Sequence, residues 1–221
     1  INVSDLAFIV APRINAAGRM DHGINAVKLM TSKDQKVVLS IARTIEFFNT
    51  ERKSTQERIT KEALQQIKLE DITKSDSTVV YHPSWHKGVI GIVASRLIEH
   101  YYRPTVVLTK SEEFMVGSVR SVYGFDVYKA LEACKQNIFQ FGGHKYAAGL
   151  TLKKEQLHTF KEAFETYVSK NLSSEFKDSE IKYDLEVEFS DLNSKLLRII
   201  NQMRPFGPKN MNPVFATHSC K

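Results

Sequence analysis

Four glycine-bearing stretches of this 221-residue chain gather the side chains best suited to chemistry, and the chemistry they suit is anion binding. In PRINAAGRM, Pro12 to Met20, Arg13 and Arg19 flank a small-residue turn that contains Asn15. Two guanidiniums spaced by a compact Ala-Ala-Gly turn could fork onto phosphate oxygens. Local pairing with Asp5 or Asp21 explains them equally well. In GSVRSVYGFD, Gly117 to Asp126, Ser118 and Arg120 stand two residues apart, so in a strand they share one face and set a hydroxyl beside a guanidinium as a terminal-phosphate clamp. The competing reading is an Arg120–Asp126 salt bridge.

HPSWHKGVIGIVASRL, His82 to Leu97, leaves a strand and enters a helix at Gly88, where free N–H groups suit an anion or a packed neighbour, with His86 just ahead. His82 and His86 make a poor metal pair, because no third or fourth ligand lies near. FGGHKYAAG, Phe141 to Gly149, is the barest stretch. Gly142 and Gly143 remove side chains where something approaches the backbone, and His144 can donate to a phosphate or a base edge. Ala147, Ala148 and Gly149 keep the next segment thin, leaving either a floor for a ligand or a tight turn packed on a helix.

These stretches need elements to hold them. No Gly or Pro falls between Gly23 and Pro83, and Val38, Ile41, Ala42, Ile45 and Phe48, then Ile59, Ala63 and Ile67, recur at helical steps. That spacing predicts a long helix, broken once near Asn49 and connecting two domains. Strands are expected at Thr78–Tyr81, Thr105–Thr109, Met115–Ser121 and Ala148–Leu152, and helices at Gly88–Tyr101, Phe125–Cys134 and Lys153–Asn171. The fold class is therefore α/β: a mixed β-sheet domain flanked by helices, preceded by a long connector helix and followed by the start of a small β-rich domain. In that last part Ile181 to Phe189 alternates like a strand and Asp191 caps a helix through Met203.

Composition narrows the class of protein. With 42% hydrophobic and 25% charged residues and no apolar run near the 18 or so that a membrane span needs, the chain is neither a membrane protein nor a disordered one. Cys134 and Cys220 form no CxxC pair and suit a reducing cytoplasm. The net charge of +6 favours a polyanionic partner without identifying one. The chain opens on Ile1 and stops just after a strand-like start, as a fragment would.

GGHKYAAG resembles the GGHxxAAG signature of the DHH-associated domain in the DHH phosphoesterase superfamily. With PRINAAGRM, HPSWHKGVIGIVASRL, GSVRSVYGFD and PFGPKNMNPVF in this order, the chain is similar to the RecJ family of single-stranded-DNA-specific exonucleases over nearly its whole length. The resemblance implies four units: the tail of a DHH catalytic domain over 1–30, a connector helix over 31–72, the DHH-associated nucleic-acid-binding domain over 73–178, and a truncated oligonucleotide-binding (OB) domain over 179–221. It implies a 5′ to 3′ exonuclease of recombination and repair that uses Mn2+ or Mg2+, works in the cytoplasm as a monomer on single-stranded DNA, and meets a repair helicase or single-strand-binding protein. Carried onto this sequence, Arg19, Arg13 and Asn15 face phosphates or the metal shell. Ser118 and Arg120 clamp the 5′-phosphate, and Gly142, Gly143 and His144 line the cleft with assistance from His86. No DHH tripeptide or DxD ligand set is present, so no metal is expected in this stretch and by itself it should not cleave DNA. The alternatives are a DHH relative that hydrolyses cyclic dinucleotides or short oligonucleotides, and a non-catalytic accessory protein.

Overall fold

The computed structural model describes residues 3–173, 182–207 and 209–218. The chain opens in helical turns, α1 (Val3–Asp5) and a π-helical turn over Leu6–Val10, that run straight into α2 (Ala11–Met20). PRINAAGRM is thus helix rather than turn, with Pro12 in its first turn where a missing N–H costs nothing. After α3 (Ile24–Thr31), Asp34 caps α4 (Gln35–Leu69) by accepting hydrogen bonds from the amides of Lys36 and Val37 at 2.8 and 3.4 Å.

Helix α4 spans 35 residues without the break expected near Asn49. Asn49 is buried there, and its side-chain oxygen takes a hydrogen bond from Arg52 at 3.2 Å, so the polar residue is satisfied within the helix. Nor is α4 a bare connector. Ile45 packs with Ala17 and Ala26, while Ile59, Ala63 and Ile67 are buried with Val80, Trp85, Val89, Ile90, Val93 and Leu97.

The sheet that follows has the order β1-β2-β3-β5-β4, from β1 (Thr78–Tyr81), β2 (Thr105–Ser111), β3 (Phe114–Arg120), β4 (Gln140–His144) and β5 (Ala147–Leu152). Only β1 and β2 run parallel, joined by α5 (Ile90–His100); the other pairs are antiparallel. One face is fully covered by α6 (Val127–Ala133) and α7 (Leu157–Asn171), which bury Leu131, Phe160, Phe164 and Val168 against Val106, Leu108, Val119, Leu150 and Leu152. Cys134 sits in this core, and burial pushes its thiol up to about 11, so it packs as an inert apolar group.

FGGHKYAAG forms an antiparallel hairpin, β4–β5, with Lys145 and Tyr146 at its tip. Strand β4 escapes a reading by β-propensity because glycines depress that propensity. Neighbours hold the hairpin in place: Ser121 N–H donates to the Tyr146 carbonyl and Val127 N–H to that of Lys145, both at 3.0 Å.

In the last part, β6 (Leu185–Glu186) pairs in parallel with β7 (Phe215–Ala216). The strand expected over 181–189 is only these two residues of β6, followed by a 3-10 turn at Phe189–Asp191; Ile181 lies outside the described residues, as does Cys220. The helix of this part, α8 (Ser194–Gln202), is capped by Asn193 rather than Asp191, whose carboxylate instead accepts from Glu188 N–H at 3.0 Å. No helix among the described residues is long and apolar enough to cross a membrane.

Candidate nucleic-acid interface

Strand register decides which side chains share the second face of the sheet. Ser118 pairs with Gly149 and Gly149 with Gly142; Arg120 pairs with Ala147 and Ala147 with His144. Residues opposite one another in paired strands point the same way, so these six stand on one face. Helix α5 covers the β1–β2 half of that face through Val80 and Val107. Among the described residues the β5–β4 half has no such cover: Gly142, Gly149 and His144 are exposed, and a side chain built at Gly142 would meet nothing within 4 Å. The result is a floor of backbone and small residues beside the start of α5.

The glycines differ in purpose. Gly143 sits at φ +149°, and a Cβ there would lie 2.4 Å from the Ala147 carbonyl oxygen, so it is fixed by the hairpin itself. Gly91, in the first turn of α5, makes room for the clamp: its Cβ would fall 2.8 Å from Arg120 Nη2 and 2.9 Å from Ser118 Oγ. Gly88 lets the end of α2 approach, since its Cβ would lie 2.0 Å from the Arg19 carbonyl oxygen.

Ser118 and Arg120 are brought together as their spacing predicts. Arg120 Nη1 donates to Ser118 Oγ and to the Val119 carbonyl, each at 2.8 Å. Asp126 does not pair with Arg120; it caps α6, accepting from the amides of Tyr128 and Lys129 at 3.0 and 3.2 Å. Burial, and next the charge of Arg19, push the half-buried Arg120 guanidinium below its ordinary value. An uncompensated guanidinium beside a second one is an arrangement that an anion relieves.

Arg19 and Arg13 part company. Six residues apart on a helix they project in different directions. Arg19 Nη1 donates to the Gly88 carbonyl at 3.2 Å and stays exposed at the mouth of the floor. Arg13 instead forks onto Glu46 of α4 and donates to the Ile9 carbonyl at 2.8 Å, so it belongs to the packing of α2 on α4, while Asp21 accepts from Asn25 at 3.4 Å. Its hydrogen bond holds the Glu46 carboxyl below the usual range. Asn15 is exposed one turn from Arg19.

Sequence reading missed a shared device in the histidines. Nδ1 of His22, His82, His86 and His144 each accepts a hydrogen bond from the amide two residues on, at 3.1–3.3 Å. Each neutral ring therefore keeps its proton on Nε2, turned away from its own backbone. For His144 that leaves an exposed donor at the rim of the floor. For His86, half-buried against Gly88, the bond shapes the turn into α5. The sequence signal is a His with Ser, Gly, Ile or Tyr at i+2, too common to single these four out.

Metal ligation is the part the residues present do not fit. Among the described residues no group of three or more His, Cys, Asp or Glu side chains converges.

The described residues thus form a mixed sheet with one half-face bare, rimmed by Arg19, Ser118, Arg120 and His144 at a helix start, an arrangement of donors that suits an anion. Residues 75–170 match the DHHA1 domain model and residues 183–221 the RecJ OB domain model. The single-stranded-DNA-specific exonuclease RecJ of Bacillus subtilis is 33% identical over 96% of this chain, and that of Escherichia coli K12 is 29% identical over 97%. A crystal structure of RecJ in complex with Mg2+ from Thermus thermophilus superposes with a TM-score of 0.86 at 27% identity, covering 97% of this chain and 33% of that one. The chain is similar to the RecJ family along nearly its whole length, and its sheet domain and last part carry that family's DHHA1 and OB sequences. It spans 27% and 39% of the length of the two curated relatives.

Proposed function

We propose that this chain supplies the strand grip and 5′-phosphate clamp of a single-stranded-DNA-specific exonuclease of the RecJ kind. The observation that carries the reading is the Ser118–Arg120 pair, a hydroxyl 2.8 Å from a half-buried guanidinium that pairs with no carboxylate among the described residues, set at the first turn of α5. Arg120 has its outer nitrogen toward Gly91, Ser118 offers a hydroxyl, and Arg19, at the end of α2, lies near enough for its charge to act on Arg120. A terminal phosphate carries more charge than a phosphodiester and suits a cluster of two guanidiniums and a hydroxyl. The nucleotides behind it then lie across Gly149 and Gly142, where no side chain holds them off, with His144 Nε2–H as a donor. Asn15, one turn from Arg19, belongs to the same mouth. Arg13 acts one step back, through Glu46.

In this reading residues 1–30 close the cleft from the catalytic side, 31–72 join it to the sheet domain of 73–178, and 179–221 begin the OB domain. Hydrolysis in the parent enzyme uses Mn2+ or Mg2+ as Lewis acid, held by donors other than these residues. What this chain contributes is binding and polarity: an end fits where a continuous strand does not.

The test is fluorescence anisotropy with a labelled single-stranded oligonucleotide bearing a 5′-phosphate or a 5′-hydroxyl, across a salt series. The phosphorylated end should bind about tenfold tighter or more, as befits one or two charge-assisted hydrogen bonds. Arg120→Ala should erase that ratio. Equal affinity for the two ends in the native chain would sink the clamp, and tighter binding of cyclic dinucleotides than of either oligonucleotide would favour a small-nucleotide site.

A further inference from the structure

The tip of the β4–β5 hairpin carries cationic and aromatic side chains that the clamp does not use. Backbone bonds tie this tip to the end of the floor marked by Arg120 and His144. Tyr146 N–H donates to His144 Nδ1 at 3.3 Å, and the Tyr146 carbonyl accepts from Ser121, the residue after Arg120, at 3.0 Å. Tyr123 lies two residues beyond Ser121, in the turn before α6, where its N–H donates to the Tyr102 hydroxyl at 3.3 Å.

Each of these two tyrosines has a lysine over its ring: Lys145 Nζ stands 5.3 Å from the Tyr146 centroid and Lys182 Nζ 5.2 Å from that of Tyr123. The tyrosines are still 47% and 59% exposed, so ring surface stays open to another flat group. An ammonium resting on a ring keeps its charge. Among the described residues Lys145, Lys182 and Lys129, two residues past Val127, make no ion pair. The nearby carboxylates are engaged with main-chain amides. Asp126 caps α6, and Asp184, two residues past Lys182, accepts from Val214 N–H at 2.8 Å. Three ammonium groups against two occupied carboxylates leave the tip cationic.

We infer that the hairpin tip is a second single-stranded nucleic-acid subsite, where bases beyond the clamped nucleotide stack on Tyr146 and Tyr123 while Lys145 and Lys182 meet their phosphates. The inference rests on the strand-binding reading above and extends it. Aromatic rings interleaved with basic groups hold single strands by stacking and charge together, with no need to read sequence. A protein partner is disfavoured by size: two tyrosines of about 150–250 Å2 each fall well short of the roughly 800 Å2 that each side of a stable interface buries. Spacing makes the subsite depend on strand length. Lys145 follows Gly142 by three residues, about 10 Å along the hairpin, which matches three nucleotides at a stacked rise of about 3.4 Å. A dinucleotide held by the clamp stops short of the tip, and a longer strand reaches it.

Anisotropy with a 5′-phosphorylated dinucleotide, a decanucleotide and a decanucleotide made abasic beyond its second position isolates the tip. Tyr146→Leu, which keeps an apolar group in an exposed turn, should weaken the intact decanucleotide about tenfold, the worth of one stacked base, and Tyr146→Trp should not. The native chain should bind the abasic strand at least tenfold more weakly than the intact one, and Tyr146→Leu should cost that ligand nothing further. The double substitution Lys145→Gln, Lys182→Gln should lower the slope of log affinity against log salt by about 1.4 for the decanucleotide, at roughly 0.7 per single-strand phosphate contact, and leave the dinucleotide unchanged. Arg120→Ala should erase the 5′-phosphate preference and keep the gain from length, so failure of the tip and failure of the clamp are separate results. Equal affinity of the native chain for intact and abasic strands would overturn the subsite. So would an unaltered salt slope in the double variant, or a loss in Tyr146→Leu as large for the dinucleotide as for the decanucleotide.

Discussion

At the scale of single residues, the candidate site divides into what β-alternation announces and what only the third dimension supplies. Ser118 and Arg120 were legible because two residues in a strand return to one face whatever the rest of the fold does. Gly91 was not: its role appears only once α5 lies against β3 and the position of its missing Cβ falls 2.8 Å from Arg120 Nη2. Arg13 misled for the same reason, since Glu46 lies 33 positions away on another helix. Gly91→Ala separates these layers experimentally. Alanine favours helix by up to about 1 kcal/mol, and the groups it would meet are the ends of movable side chains, so thermal stability should hold or rise slightly. The 5′-phosphate preference should nevertheless fall about tenfold, because both clamp groups must move. A melting temperature lowered by several degrees with the preference intact would show that Gly91 serves packing and not the site.

At the scale of elements, six of the seven helices and strands expected between Thr78 and Asn171 appear within a few residues of their expected ends, because the apolar runs there are bounded by Pro, Gly or Asp. The helix expected from Lys153 is shorter at its start: Lys154–Gln156 is a 3-10 turn and α7 begins at Leu157. Strand β4 was invisible because Gly142 and Gly143 carry no alternating pattern, yet it contributes half of the bare floor. Asp126 shows how one residue can support two element-level readings. As Arg120's counterion it would stabilise the clamp's charge, whereas as the cap of α6 it satisfies the amides of Tyr128 and Lys129. Asp126→Ala tells them apart. Loss of a cap should cost about 1 kcal/mol in denaturant unfolding and leave phosphate affinity unchanged. A marked gain in phosphate affinity, as expected on freeing a paired guanidinium, would restore the salt-bridge reading.

At the scale of the whole molecule, the sequence pattern of α4 reads as a solvated connector because its apolar stripe is narrow, and what the pattern hides is that this stripe is buried at Ile45, Ile59, Ala63 and Ile67 while Val37, Leu39, Phe47 and Leu69 stay exposed. Ile59, Ala63 and Ile67 are fully buried against the turn and helix that hold Gly88, Val89 and Ile90, and Trp85 Nε1 donates to Glu62 of α4 at 2.8 Å. That seam fixes the turn against which Arg19 rests, so the helix positions part of the site without touching a ligand. Ile67→Ala should destabilise the chain by about 2–5 kcal/mol, the usual cost of truncating a buried aliphatic to alanine. The chain's single tryptophan, Trp85, sits in the seam and reports on it directly. Its fluorescence and the far-UV circular dichroism should shift together to lower denaturant, because losing the seam exposes Val80, Val93 and Leu97 as well. A dichroism change with the Trp85 transition left in place would mean that α4 melts as a separate arm. In that case Arg19 would lose its support while the Ser118–Arg120 pair kept its own, and the 5′-phosphate preference would outlast the helix that braces its outer edge.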